Sequence, residues 1–152
     1  MKKLILICLL VCGVCGCNST YTEFKAVEFI IVGAENTRYE KDGRVILLDV
    51  GQAGGELRFE ATGKYAGNGF VSRILTDGMT DGPRYSTNLD HASVFPYVMF
   101  ENEEMKVSIL SENPHTTLVT LKENTQSGTK MHSLTFGGAY TVTDVTIFQG
   151  EK

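Results

Sequence analysis

Glu56-Leu57-Arg58-Phe59-Glu60-Ala61-Thr62 sets an apolar side chain at every second position, with charged or polar ones between. A repeat of two belongs to a half-buried β-strand, one face on a core and the other in water. The neighbouring sequence repeats the idea. On the N-terminal side, Phe24, Val27 and Phe29 to Val32 form a first β-rich run, broken by Gly33 and the polar Glu35-Asn36-Thr37. Val45 to Val50 is a second run, ended by Gly51 and Gly54-Gly55. On the C-terminal side, Gly63, Gly67 and Gly69 make a corner before Phe70, Val71, Ile74 and Leu75, and Asp77-Gly78 suits a hairpin turn that needs positive φ.

Residues 79–91 have no apolar period and read as a loop. Beyond them Val94 to Phe100 is strongly β-forming, Glu101 to Glu104 reads as an acidic turn, and Val107 and Ile109 alternate with polar neighbours. Thr116 to Leu121, Lys130 to Phe136 and Tyr140 to Phe148 complete the set, the last two separated by Gly137-Gly138. About nine or ten short strands, with turn signals roughly every 8 to 12 residues, predict an all-β chain folded as an immunoglobulin-like two-sheet β-sandwich. No helical period exceeds two turns, and there is no convincing internal repeat.

The first residues obey different rules. Lys2 and Lys3 precede an apolar stretch, Leu4 to Val14, which is shorter than the roughly 20 residues needed to span a bilayer. It reads as an export signal rather than a membrane anchor. Val14-Cys15-Gly16-Cys17 then matches a bacterial lipobox, in which a small residue admits the peptidase and the thiolate of Cys17 takes the diacylglycerol. Cys15 stands where Ala or Ser is commoner. On this reading residues 1–16 are the signal peptide, 17–23 are the lipidated cysteine and its tether, and 24–152 are one β-sandwich domain.

The cysteines agree with that division. Cys8, Cys12 and Cys15 leave with the leader and Cys17 becomes a thioether, so the mature domain keeps no thiol. Four cysteines in an exported chain could otherwise form two disulfides, but all four lie in or beside the apolar leader. That segment also lacks the polar scaffold of a zinc site. Cleavage removes two of the 14 Lys and Arg and none of the 18 Asp and Glu, leaving twelve basic against 18 acidic side chains, a net charge of −6. An acidic chain without a basic cluster argues against nucleic acid and against anionic membrane surfaces. The absence of an acidic run after Cys17 favours the periplasmic face of the outer membrane over the cell surface.

The patterns that could suggest catalysis or metal binding have simpler accounts. Asp77, Asp81, Asp90 and His91 share one loop region, but their spacing does not match the calcium loop D-x-[DN]-x-[DN]-G, and Asp-Gly turns explain them. His91, His115 and His132 are scattered, without H-x-x-x-H spacing or a neighbouring carboxylate pair. Ser72, Ser93 and Ser108 lack a G-x-S-x-G context. Glu103 and Glu104 adjoin in a turn, whereas a glycosidase pair faces across a cleft. The expectation is therefore no enzyme, no metal and no cofactor.

Several segments carry a family resemblance. Val119-Thr120-Leu121-Lys122-Glu123-Asn124-Thr125, then Lys130, then Ser133-Leu134-Thr135-Phe136, then Val145-Thr146-Ile147-Phe148-Gln149-Gly150 resembles the end of a BACON domain (Bacteroidetes-Associated Carbohydrate-binding Often N-terminal). Asn124, Lys130 and Gln149 fall at the family's Asn, basic and Gln positions, with Lys where Arg is usual. Gly54-Gly55 before the alternating strand resembles the Gly-Gly that precedes an early strand in the family. The resemblance spans about residues 45–150. As simpler alternatives, Asn124 could supply a turn and Gln149 could cap an edge strand.

The resemblance implies an immunoglobulin-like cell-envelope module, often joined to glycan-degrading or glycan-binding domains, that binds carbohydrate or mucin or acts as a spacer. The family's usual central-strand Trp is missing, since this chain contains none. Sugar recognition would fall to other aromatics: Tyr65, Phe70, Tyr85, Phe95 or Tyr97. Phe70 and Phe95 are expected in the core, because aromatics in strands bury large apolar areas. Tyr65 and Tyr85 stand among Gly, Asn and Asp in expected loops. With Asn68, Asn88, Asp90 and His91 they form the candidate ligand-binding set. The expected partners are the membrane through the lipid anchor and either a glycan or, for an adaptor, another envelope protein.

Overall fold

The computed structural model describes residues 23–76, 94–138 and 140–150. They form two five-stranded sheets packed face to face. The strands are β1 (Glu28–Val32), β2 (Asn36–Glu40), β3 (Val45–Val50), β4 (Gly55–Thr62), β5 (Val71–Leu75), β6 (Tyr97–Glu101), β7 (Met105–Glu112), β8 (His115–Leu121), β9 (Lys130–Phe136) and β10 (Thr143–Gln149). One sheet runs β1-β4-β8-β7-β6 and the other β2-β3-β10-β9-β5. The pairings are antiparallel except that of β3 with β10. The all-β sandwich and its strand number are as the sequence predicts.

β4 behaves as its alternation requires. Leu57, Phe59 and Ala61 are at most 1% exposed, while Glu56 and Arg58 point to solvent. Phe59 meets Phe29 of β1 edge-on at 6.2 Å, and Phe136 of β9 at 5.3 Å, so one aromatic cluster bridges the two sheets. Leu48, Ile74, Met105, Val107, Val119, Leu134, Val145 and Ile147 close the core around it, none of them exposed. Burying a side chain of this size contributes about 1.5–3 kcal/mol each.

Two expectations are corrected. The expected break at Glu35-Asn36-Thr37 falls in strand structure, because Asn36 and Thr37 begin β2. This strand sits at a sheet edge with nearly every side chain in water, so it carries no apolar alternation for a sequence reading to find. Gln149 does not cap an edge strand, since β10 lies between β3 and β9.

Gly54 is needed where it stands. Its φ is +75°, and a Cβ there would run into the Leu121 carbonyl, so the backbone entering β4 passes directly against the end of β8. The Asp77-Gly78 turn and the 79–91 loop lie outside the described residues.

Candidate functional site

The sandwich has two dissimilar poles. At the one where β8 ends and β10 ends, Asn124, His132 and Gln149 are at most 1% exposed. Asn124 Nδ2 donates to the carbonyls of Gly128 at 2.9 Å and Gln149 at 3.3 Å, and its Oδ1 accepts from the Gln126 amide at 3.1 Å. Gln149 Nε2 donates to the carbonyls of Lys122 at 2.6 Å and Gln52 at 3.3 Å. Because that amide nitrogen is the donor, Gln149 Oε1 is the acceptor facing His132 Nε2 at 3.1 Å, which fixes the proton on Nε2. Lys130 Nζ reaches Glu104 Oε1 at 2.8 Å, with only 12% of the Lys130 side chain exposed. Asn124 therefore does form the turn bond expected of it, and it also ties the turn to the last strand.

The opposite pole is where β8 begins, β9 ends and β10 begins. Here a cleft of about 330 Å³ lies between the two edge strands β5 and β6. Its apolar wall is Phe70, Val71, Tyr97, Met99 and Ile109, and its polar border is Glu112, His115, Thr116 and Thr117. The β7–β8 turn brings Glu112 opposite His115 in register. His115 Nε2 lies 3.1 Å from the Gly67 carbonyl, which can only accept, so Nε2 donates to it. The Phe70 ring meets the His115 ring edge-on at 6.1 Å.

Burial, and then the Glu112 carboxylate, push the Tyr97 phenol above its usual value of 10.0. It is therefore a neutral hydroxyl at physiological pH, able both to donate and to accept. A cavity of this volume, apolar on one side with a few convergent polar groups, has the character of a small-ligand site at the lower end of the usual size range.

The predicted residues distribute unevenly. Tyr65 precedes and Asn68 ends a short 3₁₀ turn, Ala66–Asn68, beside this cleft. Tyr65 is half-buried against the core, and Lys64 Nζ stands 5.4 Å from its ring centroid. Asn68 is half-buried, its backbone N–H donating to the Tyr65 carbonyl at 2.9 Å. Gly69 ends the turn pressed on β4, where a Cβ would collide with that of Ala61.

Phe70, expected in the core, is half-buried in the cleft wall. Phe95 packs against the core only in part and sits 5.8 Å from the Tyr97 ring. Cys17, Tyr85, Asn88, Asp90 and His91 lie outside the described residues. Among the described residues there is no group of three or more His, Cys, Asp or Glu placed to hold a metal. Glu104, expected at a solvated acidic tip, instead forms the pair with Lys130.

Sequence reasoning passed over Met99, Glu112 and His115. The signal for two of them was present: Glu112-Asn113-Pro114-His115 is a turn flanked by two β-forming runs, and a turn that tight brings its first and last residues together.

No protein-family model matches the chain, and no curated protein does either. Among solved structures, a protein from Bacteroides thetaiotaomicron determined by NMR is similar, with a TM-score of 0.50, over 77% of this chain and 84% of that one. At 14% identity the likeness is one of fold alone.

Proposed function

We propose that the chain is a non-catalytic binding module of the bacterial cell envelope, lipid-anchored through Cys17 in the outer membrane, facing the periplasm, and that it recognises glycan weakly in the cleft between β5 and β6. The observation that carries this reading is the cleft wall itself. Phe70 and Tyr97 offer aromatic surface to the C–H face of a sugar ring, beside a carboxylate and an imidazole that can meet its hydroxyls. The volume suits one or two sugar units, so useful affinity would come from many copies on one membrane. The immunoglobulin-like and BACON-like assignment belongs to this proposal. It is supported by the convergence of Asn124, Lys130 and Gln149, the residues of the resemblance, on one pole.

The test is binding of the soluble domain to a broad panel of host, dietary and envelope glycans, displayed multivalently, alongside Phe70→Ala and Tyr97→Ala. Binding that falls at least about tenfold in either variant, or about 1.4 kcal/mol, supports the cleft. Binding unchanged in both variants, or no binding to any glycan, rejects it. Separately, Cys17→Ser should release the protein from the membrane fraction.

A second reading, an adaptor that docks on another envelope protein, is favoured by β1. This edge strand exposes Ile30 by 55% and Val32 by 60% on its outer face, and an unpaired edge with apolar side chains can accept an added strand. Ile30→Lys with Val32→Lys should abolish co-purification of such a partner and leave glycan binding intact.

A further inference from the structure

We propose that the pole at which the chain enters the sandwich is seated on the membrane, with Phe24 and Tyr140 inserted at the boundary between headgroups and acyl chains. This rests on the reading that Cys17 carries lipid. Only six residue steps lead from Cys17 to Glu23, a reach of at most ~22 Å when fully extended. Strands of eight residues make the sandwich about 25 Å tall before its loops are added. The pole of Asn124 and Gln149 therefore cannot be turned down onto the bilayer, and the entry pole is held beside it.

That pole is built to present two aromatic side chains together. The Lys25 amide donates to the Tyr140 carbonyl at 3.0 Å, and the Val142 amide to the Lys25 carbonyl at 3.0 Å. The parallel bridge of Lys25 with Thr141 sets Phe24 alongside Tyr140. Next to them Thr143 Oγ1 accepts from the Val27 amide at 2.9 Å and donates to its carbonyl at 3.2 Å. The turn that carries Tyr140 is fixed by the Thr141 amide on the Gly138 carbonyl at 3.0 Å. Yet Phe24 is 47% and Tyr140 67% exposed. Large aromatics in the open on a hydrogen-bonded backbone at a chain entry fit a medium that is apolar at one depth and wet at the next.

The cleft lies at the side of the seated pole, where the Gly137 amide bonds the Phe70 carbonyl at 3.0 Å. The glycans within its reach are then those displayed at the surface of the anchoring membrane.

The chain has no Trp, so a single introduced one reports its own position. Tyr140→Trp at the seated pole and Met131→Trp at the far pole, both at exposed sites, are purified as full lipidated chains and reconstituted into zwitterionic vesicles containing brominated lipid. Emission from the 140 probe should be quenched about threefold more than from the 131 probe, as expected for a ring held ~5–10 Å into the boundary. Adding Phe24→Asp to the 140 probe should remove most of that difference. Equal quenching of the two probes in protein that floats with the vesicles overturns the seating while leaving lipidation intact. Failure of the full chain to float overturns the lipid anchor, and the seating with it.

Discussion

The two poles use similar polar side chains to opposite ends. Asn124, His132 and Gln149 are sealed from water and directed at each other and at backbone carbonyls, so one pole is a hydrogen-bonded clasp. Tyr97, Glu112 and His115 border a cleft with an apolar wall, and only one His115 nitrogen is committed to the backbone. The difference lies in what surrounds each group. At the clasp the turn between β8 and β9 folds back over the sheet ends and supplies two of the acceptors, the Lys122 and Gly128 carbonyls. At the cleft two edge strands, β5 and β6, face one another with no strand between them.

If the clasp is structural, its removal should be costly and silent in binding. Gln149→Leu keeps the volume but removes the donor to the Lys122 carbonyl and the acceptor facing His132 Nε2, while the Gln52 carbonyl keeps the Asn124 backbone N–H. It should destabilise the fold by about 3 kcal/mol, since each buried polar group left unsatisfied costs about 1–3 kcal/mol. A urea midpoint that falls at constant slope, with unchanged glycan binding, fits the comparison. A stable variant that loses binding would reverse the roles of the poles.

Lys130→Met should cost less, about 1 kcal/mol, because the Glu104 carboxylate is 26% exposed and water takes over part of the pair. Tyr97→Phe should cost least in stability, within about 0.5 kcal/mol. Its ring still lines the cleft, yet the lost hydroxyl should weaken glycan binding several-fold. If Tyr97→Phe unfolds the domain instead, the cleft is a packing feature and the contrast between the poles fails.

The sandwich was legible from the sequence because burial on one face writes itself into every second residue of β4, and because short β-forming runs between turn residues mark β3, β9 and β10. β2 was not, since an edge strand wet on both faces has nothing to alternate. Asn124 and Gln149 of the clasp stood out in the family resemblance, but His132 did not, and their meeting was not legible, because it depends on β10 passing beside β3 and β9 with its end under the 124–130 turn. The cleft was missed for a similar reason. Phe70, Tyr97 and Glu112 come from strand ends far apart in sequence, and only the packing of two edge strands joins them. Loop aromatics such as Tyr65 drew attention by composition, whereas its ring packs against the core with Lys64 over it.

The smallest effect is also the most specific to the cleft. Tyr97 has its phenol raised above 10.0 in the folded protein, by burial first and by the Glu112 carboxylate second. In the unfolded chain the same phenol ionises at its ordinary value, so between the two the native state holds the proton that the unfolded state has lost. The stability contributed by the neutral phenol is fully present below that ordinary value and declines as the pH rises through the folded one. Glu112→Gln removes the second cause and leaves the first. Tyrosinate absorbance, taken as the difference from Tyr97→Phe because the chain has six tyrosines, should show the Tyr97 titration moving down in Glu112→Gln while remaining above its unfolded position. No movement would mean that the carboxylate does not face the phenol across the cleft. The polar border on which the contrast between the poles depends would then have to be redrawn around His115 alone.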